Sequence, residues 1–221
     1  MDGPGTITWE EFVENAESFV RVSDEILDSW ELRGDKNKPA QAYLIRQVKT
    51  FVPFDYFIIN PEAQSIDKLN EEFVNNIKDP FEAQNTQEMP LITEHHVLWS
   101  MSYSVPVLYF NAWISDFPGI NAVTVEQAQQ LVPQGTLKYN ELSQAIHPIL
   151  GTIFLHLHPC MSKELLQNTS TSNNKLVSWL STVAPAALNL KVGNEYFELT
   201  RTNKSVISKE VDEEKLININ I

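Results

Sequence analysis

The spacing of apolar residues predicts an amphipathic helix near the start of the chain. From about Trp9 to Leu32, apolar side chains recur every three or four residues, with charged residues between them. Thr8 and Glu11 have the spacing of a capping box, which favours a helix start at Trp9. Gly34 opens a polar loop, and we expect the helix to stop there because glycine is a common helix terminator.

Three later stretches have the pattern of β-strands. Residues 42–54 are rich in β-branched and aromatic side chains and predict one strand. Residues 94–114 predict a hairpin, because two β-rich runs flank a short turn at Ser104-Val105-Pro106. The second run is apolar on both faces, as is typical of a central strand covered by helices. Residues 152–158 predict another strand, which ends where Pro159 removes a backbone donor.

Shorter patterns predict the connecting elements. They are a capping box at Thr124 and Gln127 opening a helix to about Leu131, a turn over 147–151 bracketed by proline and glycine, a cap at Ser162 for a short helix through Gln167, and a last helix over 176–187 kinked at Pro185. The segment over 139–146 has no clear pattern.

Two polar segments interrupt this succession of elements. Residues 60–94 are rich in Asn, Gln, Asp and Glu and carry several prolines, which predicts an acidic insertion with one short helix near 66–77. Such a segment is either solvated surface or a docking site for a basic partner. From about residue 192 we expect a C-terminal tail. The 221 residues fit a single domain, 1–221, that is long enough to bury its own core.

Charge and composition exclude several classes of protein. The formal net charge is −13, from 16 basic and 29 acidic residues. Because nucleic acids and anionic lipids are bound by clustered Lys and Arg, we expect neither as a partner. The start of the chain lacks the basic and apolar regions of a secretory signal. No apolar run approaches the roughly 18 residues of a membrane span. We therefore expect a cytoplasmic protein with a reduced thiol and no stable membrane insertion.

Cys160 is the most conspicuous candidate for chemistry. It is the only cysteine of the chain, so neither a disulfide framework within the chain nor a multi-cysteine zinc site can form. It follows Pro159 directly, at a predicted strand end where a side chain is both rigidly held and reachable. His156 and His158 precede it, and polar residues follow. This setting favours a reactive thiol over a buried cysteine that acts as a small hydrophobic side chain.

The same residues could also belong to a cysteine hydrolase or to a metal site. A cysteine hydrolase needs a base and an orienting Asn or Asp, and spacing alone leaves that arrangement open, although no papain-type signature surrounds the cysteine. His156, His158 and Cys160 alternate and would share a strand face, which suits a metal, but the intervening proline breaks that geometry. A fourth ligand would have to come from the pair His95-His96, which we interpret as polar residues at a strand entry. We expect no metal.

The motifs together resemble one known family. They are His158-Pro159-Cys160 after an apolar strand, the upstream His147-Pro148-Ile149-Leu150-Gly151, the run from Tyr103 to Phe110, Ser29-Trp30-Glu31 in the first helix and Trp179-Leu180-Ser181 in the last. In this order they look like the autophagy-related protein 10 family, the conjugating enzymes of an autophagy cascade. The resemblance covers nearly the whole chain, residues 60–94 least. The sister autophagy-related protein 3 family also carries His-Pro-Cys, but its members are typically longer and begin with a membrane-sensing helix, whereas this first helix is acidic.

The resemblance implies an α+β fold with a ubiquitin-conjugating-enzyme-like core, an antiparallel β-sheet flanked by helices. It implies that Cys160 accepts the ubiquitin-like autophagy-related protein 12 as a thioester from the activating enzyme, autophagy-related protein 7. Cys160 would then pass it to a lysine of autophagy-related protein 5. His158 and Tyr103 would support the catalytic Cys160, and no cofactor is required.

One departure from ordinary conjugating enzymes bears on the chemistry. Their His-Pro-Asn stretch upstream of the cysteine is absent, because His147-Pro148-Ile149 supplies no Asn. The resemblance therefore leaves His158 or Tyr103 as the group that stabilises the oxyanion. An autophagy-related protein 3-like enzyme, a cysteine hydrolase and a non-catalytic adaptor with the same fold remain the alternatives.

Overall fold

The computed structural model describes residues 5–53, 56–57, 88–132, 142–188 and 190–201. The helix expected near 66–77 and most of the predicted insertion lie outside these residues. Within them, the helices are α1 (Trp9–Ile26), α2 (Val125–Gln130), α3 (Ser162–Asn168) and α4 (Lys175–Val183). The strands are β1 (Glu31–Gly34), β2 (Ala42–Pro53), β3 (Glu88–Ser100), β4 (Val105–Trp113), β5 (Leu142–Ile146) and β6 (Ile153–Leu157). Short 3₁₀ turns cover Pro159–Met161, Ala184–Ala186 and Asn194–Thr200.

The six strands form one antiparallel sheet in the order β1-β2-β3-β4-β6-β5. This confirms the predicted α+β fold with an antiparallel sheet flanked by helices. The ladders between β2 and β3 and between β3 and β4 are long. The ladder between β4 and β6 has only two residue pairs, Tyr109 with His156 and Phe110 with Leu155. The β5–β6 hairpin is therefore joined to the rest of the sheet by a short seam.

One face of the sheet carries the main core. Side chains alternate between the two faces of a strand, and Leu44, Val97, Leu108 and Leu155 all point to the face that packs against α1 and α4. The buried side chains of the helices, among them Phe12, Phe19, Leu176, Val177 and Leu180, complete this single apolar cluster. Burial of this surface is the main stabilising contribution to the fold.

The opposite face has a different character. The cross-strand row Ile45, His96, Tyr109 and His156 lies on it, with one residue from each of four neighbouring strands. A small apolar cluster of Tyr43, Ile45 and Leu98 packs there, with Ile149 of the 147–151 turn laid against it. This face is therefore lined with aromatic and histidine rings, and the predicted turn covers part of it.

The first helix is shorter than predicted. Its start at Trp9 is confirmed, with the Thr8 hydroxyl accepting from the Glu11 amide, but the Glu11 carboxylate pairs with Lys175 and does not close the capping box. The predicted end near Leu32 is wrong. The helix ends at Ile26 because Leu27 takes a left-handed conformation, φ 59°, and the Ser23 hydroxyl accepts from the Trp30 amide. Trp30 is buried as expected, but it belongs to the connection into β1.

Three further boundaries needed correction. Residues 88–94, assigned to the acidic insertion, belong to β3. The last helix ends at Val183, so Pro185 sits in a terminating 3₁₀ turn and does not kink a continuing helix. The tail predicted from residue 192 begins with a packed 3₁₀ segment, Asn194–Thr200. The second capping box at Thr124 and Gln127 is confirmed with both of its hydrogen bonds.

Tyr196 explains why the predicted tail is ordered at its start. Its side chain is fully buried and stacks on Phe19, with ring centroids 4.2 Å apart. Its hydroxyl donates to Asp28 Oδ2 at 2.8 Å, and Arg46 binds the other oxygen of the same carboxylate. Burial raises the pKa of the Tyr196 hydroxyl above its ordinary value. One tyrosine thus joins the C-terminal segment to α1 and β2.

We predict that Tyr196→Ala lowers the free energy of unfolding by about 3–5 kcal/mol, the usual cost of removing a buried aromatic ring. Tyr196→Phe keeps the ring and loses one hydrogen bond, so its cost should be about 1 kcal/mol. Urea denaturation followed by tryptophan fluorescence measures both. Phe197→Ala is the matched control, because the neighbouring ring is exposed. An equal loss in Phe197→Ala would contradict the packing described for Tyr196.

Candidate active site

Strand β6 delivers Cys160 to the surface. The strand ends at Leu157, His158 continues in extended conformation (φ −62°, ψ 132°), and the 3₁₀ turn Pro159–Met161 follows at once. Cys160 is a free, exposed cysteine within that turn. The predicted placement on the turn that leaves the strand agrees with this arrangement. A thiol held by a short turn at a strand end is both accessible and fixed in position.

His158 holds the backbone of the cysteine. Its ring Nδ1 accepts a hydrogen bond from the Cys160 amide at 3.1 Å and so caps the 3₁₀ turn. An imidazole that accepts at Nδ1 carries its single proton on Nε2, and the ring is then neutral. In this geometry His158 caps the turn through Nδ1 and presents its Nε2–H as a donor.

Tyr103 lies on the other side of the same region. It is an exposed residue of the turn between β3 and β4, where Ser104 adopts a positive φ of 53°. The centroid of its ring is 6.3 Å from that of His158, with the two rings nearly perpendicular. The structure thus brings together Tyr103, His158 and, through the bond to its amide, Cys160. These are the three residues singled out from the sequence.

A cleft of about 440 Å³ opens beside the cysteine turn. His158 and Pro159 form the wall nearest Cys160. The remaining walls come from the end of β3, the Tyr103 turn, residues of β4 and β6, the connection between β1 and β2, and Pro148. No charged side chain of the described residues lines it. A concave lining of aromatic and apolar side chains with a few polar groups is typical of a binding cleft.

Ser162 anchors the segment that follows the cysteine. We expected this hydroxyl to cap a helix, and that expectation is wrong. It is buried, donates to the carbonyl of Pro106 at 3.2 Å and accepts from the indole N–H of Trp179 at 2.9 Å. The cysteine turn is therefore bound to the start of β4, close to the Tyr103 turn, and to the core helix α4.

Several histidines are buried in the fold, and of these His156 lines the cleft. The sequence predicts a structural role for His156, but it did not predict the contacts of the other three. His95 and His96 lie in the middle of β3, not at a strand entry, and point to opposite faces. His95 contacts the Ala187 carbonyl at 3.0 Å, and His96 contacts His147 at 2.9 Å. His156 packs on Tyr109. Burial lowers the pKa of His95, His147 and His156 to about 4 each. For the strand histidines, the signal in the sequence was their position within otherwise apolar runs, whereas His147 lies in the turn after β5 and had no such signal.

The structure does not place His156, His158 and Cys160 together as ligands of one metal ion. His156 is buried against Tyr109, whereas His158 and Cys160 belong to the exposed connection that follows. In the described ranges, no group of three or more His, Cys, Asp or Glu side chains could hold a metal ion. In the same ranges, no helix has the length and apolarity that crossing a membrane requires.

Comparison with known proteins assigns the chain to a family. Residues 11–192 match the family described as "Autophagocytosis associated protein, active-site domain". The chain belongs to this family. It is 32% identical over 187 residues to the human (Homo sapiens) ubiquitin-like-conjugating enzyme ATG10, covering 78% of this chain and 84% of that one. The ATG10 enzymes of Dictyostelium discoideum and Arabidopsis thaliana are each 29% identical, over 51% and 41% of this chain and 56% and 46% of theirs.

These relatives confirm the resemblance to the autophagy-related protein 10 family, and the protein is a ubiquitin-like-conjugating enzyme of autophagy. The three relatives carry the ATG10 name, which favours this family over the autophagy-related protein 3 alternative.

The N-terminal strap of this conjugating enzyme, residues 5–8, ties the two sides of the site together. The Ile7 amide donates to the Ser104 carbonyl at 2.9 Å, next to Tyr103. The Trp99 indole N–H donates to the Ile7 carbonyl at 2.9 Å. At its other end, Gly5 lies against the backbone of Lys163 in α3, so closely that a Cβ there would overlap the Lys163 carbonyl oxygen. The strap thus fixes the Tyr103 turn relative to the helix that follows Cys160.

We predict that Gly5→Ala destabilises the enzyme more than Gly119→Ala. Both glycines have a positive φ, 95° and 87°, so both variants share the backbone strain of an alanine in that region. Only at Gly5 does the added methyl meet other atoms, and overpacking of this kind costs about 1–3 kcal/mol. Denaturation midpoints of the two variants measure the difference. Equal midpoints would show that the strap does not rest on α3 as described.

Proposed function

We propose that Cys160 carries autophagy-related protein 12 as a thioester, received from the activating enzyme autophagy-related protein 7, and transfers it to a lysine of autophagy-related protein 5. The observation that carries the proposal is the setting of Cys160. The only thiol of a conjugating-enzyme chain is exposed at a strand end, with its amide held by His158 and a cleft beside it. The names of the partners come from the family resemblance.

The loading step suits such a thiol. The Cys160 thiolate attacks the carbonyl carbon of the thioester on the activating enzyme. A new C–S bond forms at Cys160, the old C–S bond breaks, and the activating enzyme's thiolate leaves and takes up a proton. Because the two thioesters have similar energies, this exchange depends mainly on access and on the thiolate fraction. The exposure of Cys160 supports this step.

The transfer step places greater demands on geometry. A neutral lysine amine attacks the thioester carbonyl, an isopeptide C–N bond forms, the C–S bond breaks, and Cys160 leaves as a thiolate while the amine loses its proton to solvent. The developing oxyanion needs a hydrogen-bond donor. The His158 ring has a free Nε2–H once Nδ1 accepts from Cys160, and the exposed Tyr103 hydroxyl lies on the neighbouring turn. We assign these two groups to orientation of the lysine and stabilisation of the oxyanion.

Two other functions make different predictions for the same protein. A cysteine hydrolase would release the ubiquitin-like protein to water without an acceptor lysine. A non-catalytic adaptor would bind its partners without forming a thiol-labile adduct. Neither alternative accounts as directly for an exposed cysteine whose backbone is capped by a neighbouring histidine.

We predict that Cys160→Ala abolishes thioester formation and conjugation while the protein remains folded, because no second thiol exists in the chain. Cys160→Ser should trap an oxyester that resists reducing agents. The assay incubates each variant with the activating enzyme, ATP and the ubiquitin-like protein, and compares reducing and non-reducing gels. Thermal unfolding of Cys160→Ala serves as the folding control. Conjugate formation by Cys160→Ala would disprove the carrier function.

We predict that His158→Ala loads normally but transfers more slowly, by up to about 10²–10³-fold if an oxyanion donor is lost. His158→Asn separates the two roles of the ring, since its side-chain oxygen can still cap the Cys160 amide whereas the Nε2–H is gone. Transfer that stays low in His158→Asn supports the donor role, and recovery would reduce the residue to a cap. Tyr103→Phe, which loses only a hydroxyl, tests the second donor. Single-turnover rates for loading and transfer, measured separately, give the answer.

A further inference from the structure

The β5–β6 hairpin, which leads directly into His158 and Cys160, is joined to the rest of the sheet by a short backbone ladder. Only two residue pairs connect β6 to β4. Two residue pairs fix the register of neighbouring strands, but they constrain the angle of the hairpin much less than a long ladder does. Asn111 of β4 adds two side-chain hydrogen bonds to the backbone of β6, at Ile153 and Leu155, and Ser162 anchors the segment after Cys160. These bonds lie along β4 and leave the orientation of the 147–151 turn to other contacts.

His147 provides a further attachment, which passes over β4 and reaches β3. It lies at the start of the turn between β5 and β6, and its Nε2 is 2.9 Å from Nδ1 of His96 in β3. Its own Nδ1 accepts from the amides of Ile149 and Leu150, at 3.2 and 3.1 Å. One ring thus binds its own turn on one side and a central strand on the other.

The hydrogen bonds determine where the protons are. Because Nδ1 of His147 accepts from two amides, the proton of this ring is on Nε2, and His147 donates to His96 Nδ1. The His96 proton is then on Nε2, where the carboxylate of Glu94 lies 3.2 Å away, within ion-pair distance but without hydrogen-bond alignment. The hydrogen bond between the two rings therefore has a defined direction, from His147 to His96.

Packing keeps this pair dry and rigid. Both rings are fully buried. Tyr43, Tyr109 and Phe154 surround His147, with centroid distances of 5.3, 5.4 and 5.1 Å. Burial, together with the neighbouring His96, lowers the pKa of His147 to about 4, so the ring stays neutral near pH 7. The hydrogen bond between the two rings is buried, and loss of one partner would leave the other without its partner in an apolar environment, which is costly.

We propose that His147 and His96 form a latch that positions the β5–β6 hairpin, and with it Cys160, for transfer to the acceptor lysine. This inference rests on the proposed thioester function of Cys160. His147 is a positioning residue in this proposal and does not contact the reacting atoms. The same latch holds the turn that contains Pro148, a residue of the cleft wall. It therefore fixes the position of this wall relative to Cys160.

Two substitutions at His147 separate the latch from the turn. In His147→Asn, the side-chain oxygen replaces Nδ1 and keeps the bonds to the turn amides, but the reach to His96 is lost. In His147→Gln, the side-chain amide replaces Nε2 as the donor to His96, and the turn amides lose their acceptor. The expected results are therefore crossed. His147→Asn should be the more stable variant and transfer roughly 10- to 100-fold more slowly than the wild type, the scale of a misplaced reacting group. His147→Gln should be less stable and transfer nearly normally.

The measurements are single-turnover transfer from preloaded protein, with loading and denaturation midpoints recorded for each variant. Control variant His95→Gln changes a buried histidine on the other face of β3 and should transfer like the wild type. Normal transfer by His147→Asn, or transfer rates that simply follow stability across the variants, would overturn the latch.

A readout without activity keeps this inference separate from the proposed function. The ¹⁵N shifts of the His147 ring should report the Nε2–H tautomer, and an Nδ1–H tautomer would overturn the latch whatever the enzyme does. Failure of the wild type to form any thioester would instead overturn the proposed function of Cys160.

Discussion

A buried hydroxyl group, that of Ser162, holds the reactive part of this protein in place. It joins the carbonyl at the start of β4 to the indole of α4, two residues after the cysteine. A buried hydroxyl without hydrogen-bond partners is costly, so the segment is stable in this position only when both bonds form. The cysteine turn therefore has little freedom to shift, although Cys160 itself is exposed. Cys160 is therefore accessible from solvent, while the residues beside it are fixed to the core.

The two faces of the sheet make different contributions to the fold. The face against α1 and α4 is apolar and supplies most of the hydrophobic stabilisation. The other face carries aromatic and histidine rings, whose hydrogen bonds have direction and therefore fix angles as well as contacts. The cleft lies along this second face. Stability and alignment of the site thus come from opposite sides of one sheet.

Much of the fold followed from the sequence because its causes are local. The start of α1, the β3–β4 hairpin, the second capping box and the strand end before Pro159 depend on neighbouring residues, which periodicity and turn chemistry capture. The errors arose where distant residues decide. The segment after α1 leaves the helix because Arg46 of β2 binds both the backbone carbonyl and the carboxylate of Asp28. Tyr196 is ordered because Phe19 and Asp28 receive it. Ser162 points into the core for a similar reason, because its partners are Pro106 and Trp179.

The same limit applied at the site. Cys160 was conspicuous as a single residue, whereas the His96–His147 contact depends on strand register and on a turn that folds back.

The solitary thiol has a consequence for the redox chemistry of the enzyme. An oxidised cysteine is usually rescued when a nearby thiol condenses with its sulfenic acid to form a disulfide. The sequence contains no other cysteine, so Cys160 cannot be protected by a disulfide within it. Rescue from oxidation therefore has to come from another molecule, such as a small thiol or a cysteine of a partner protein. The exposure that allows acyl groups to reach Cys160 thus also makes its reduced state dependent on the thiol pool around it.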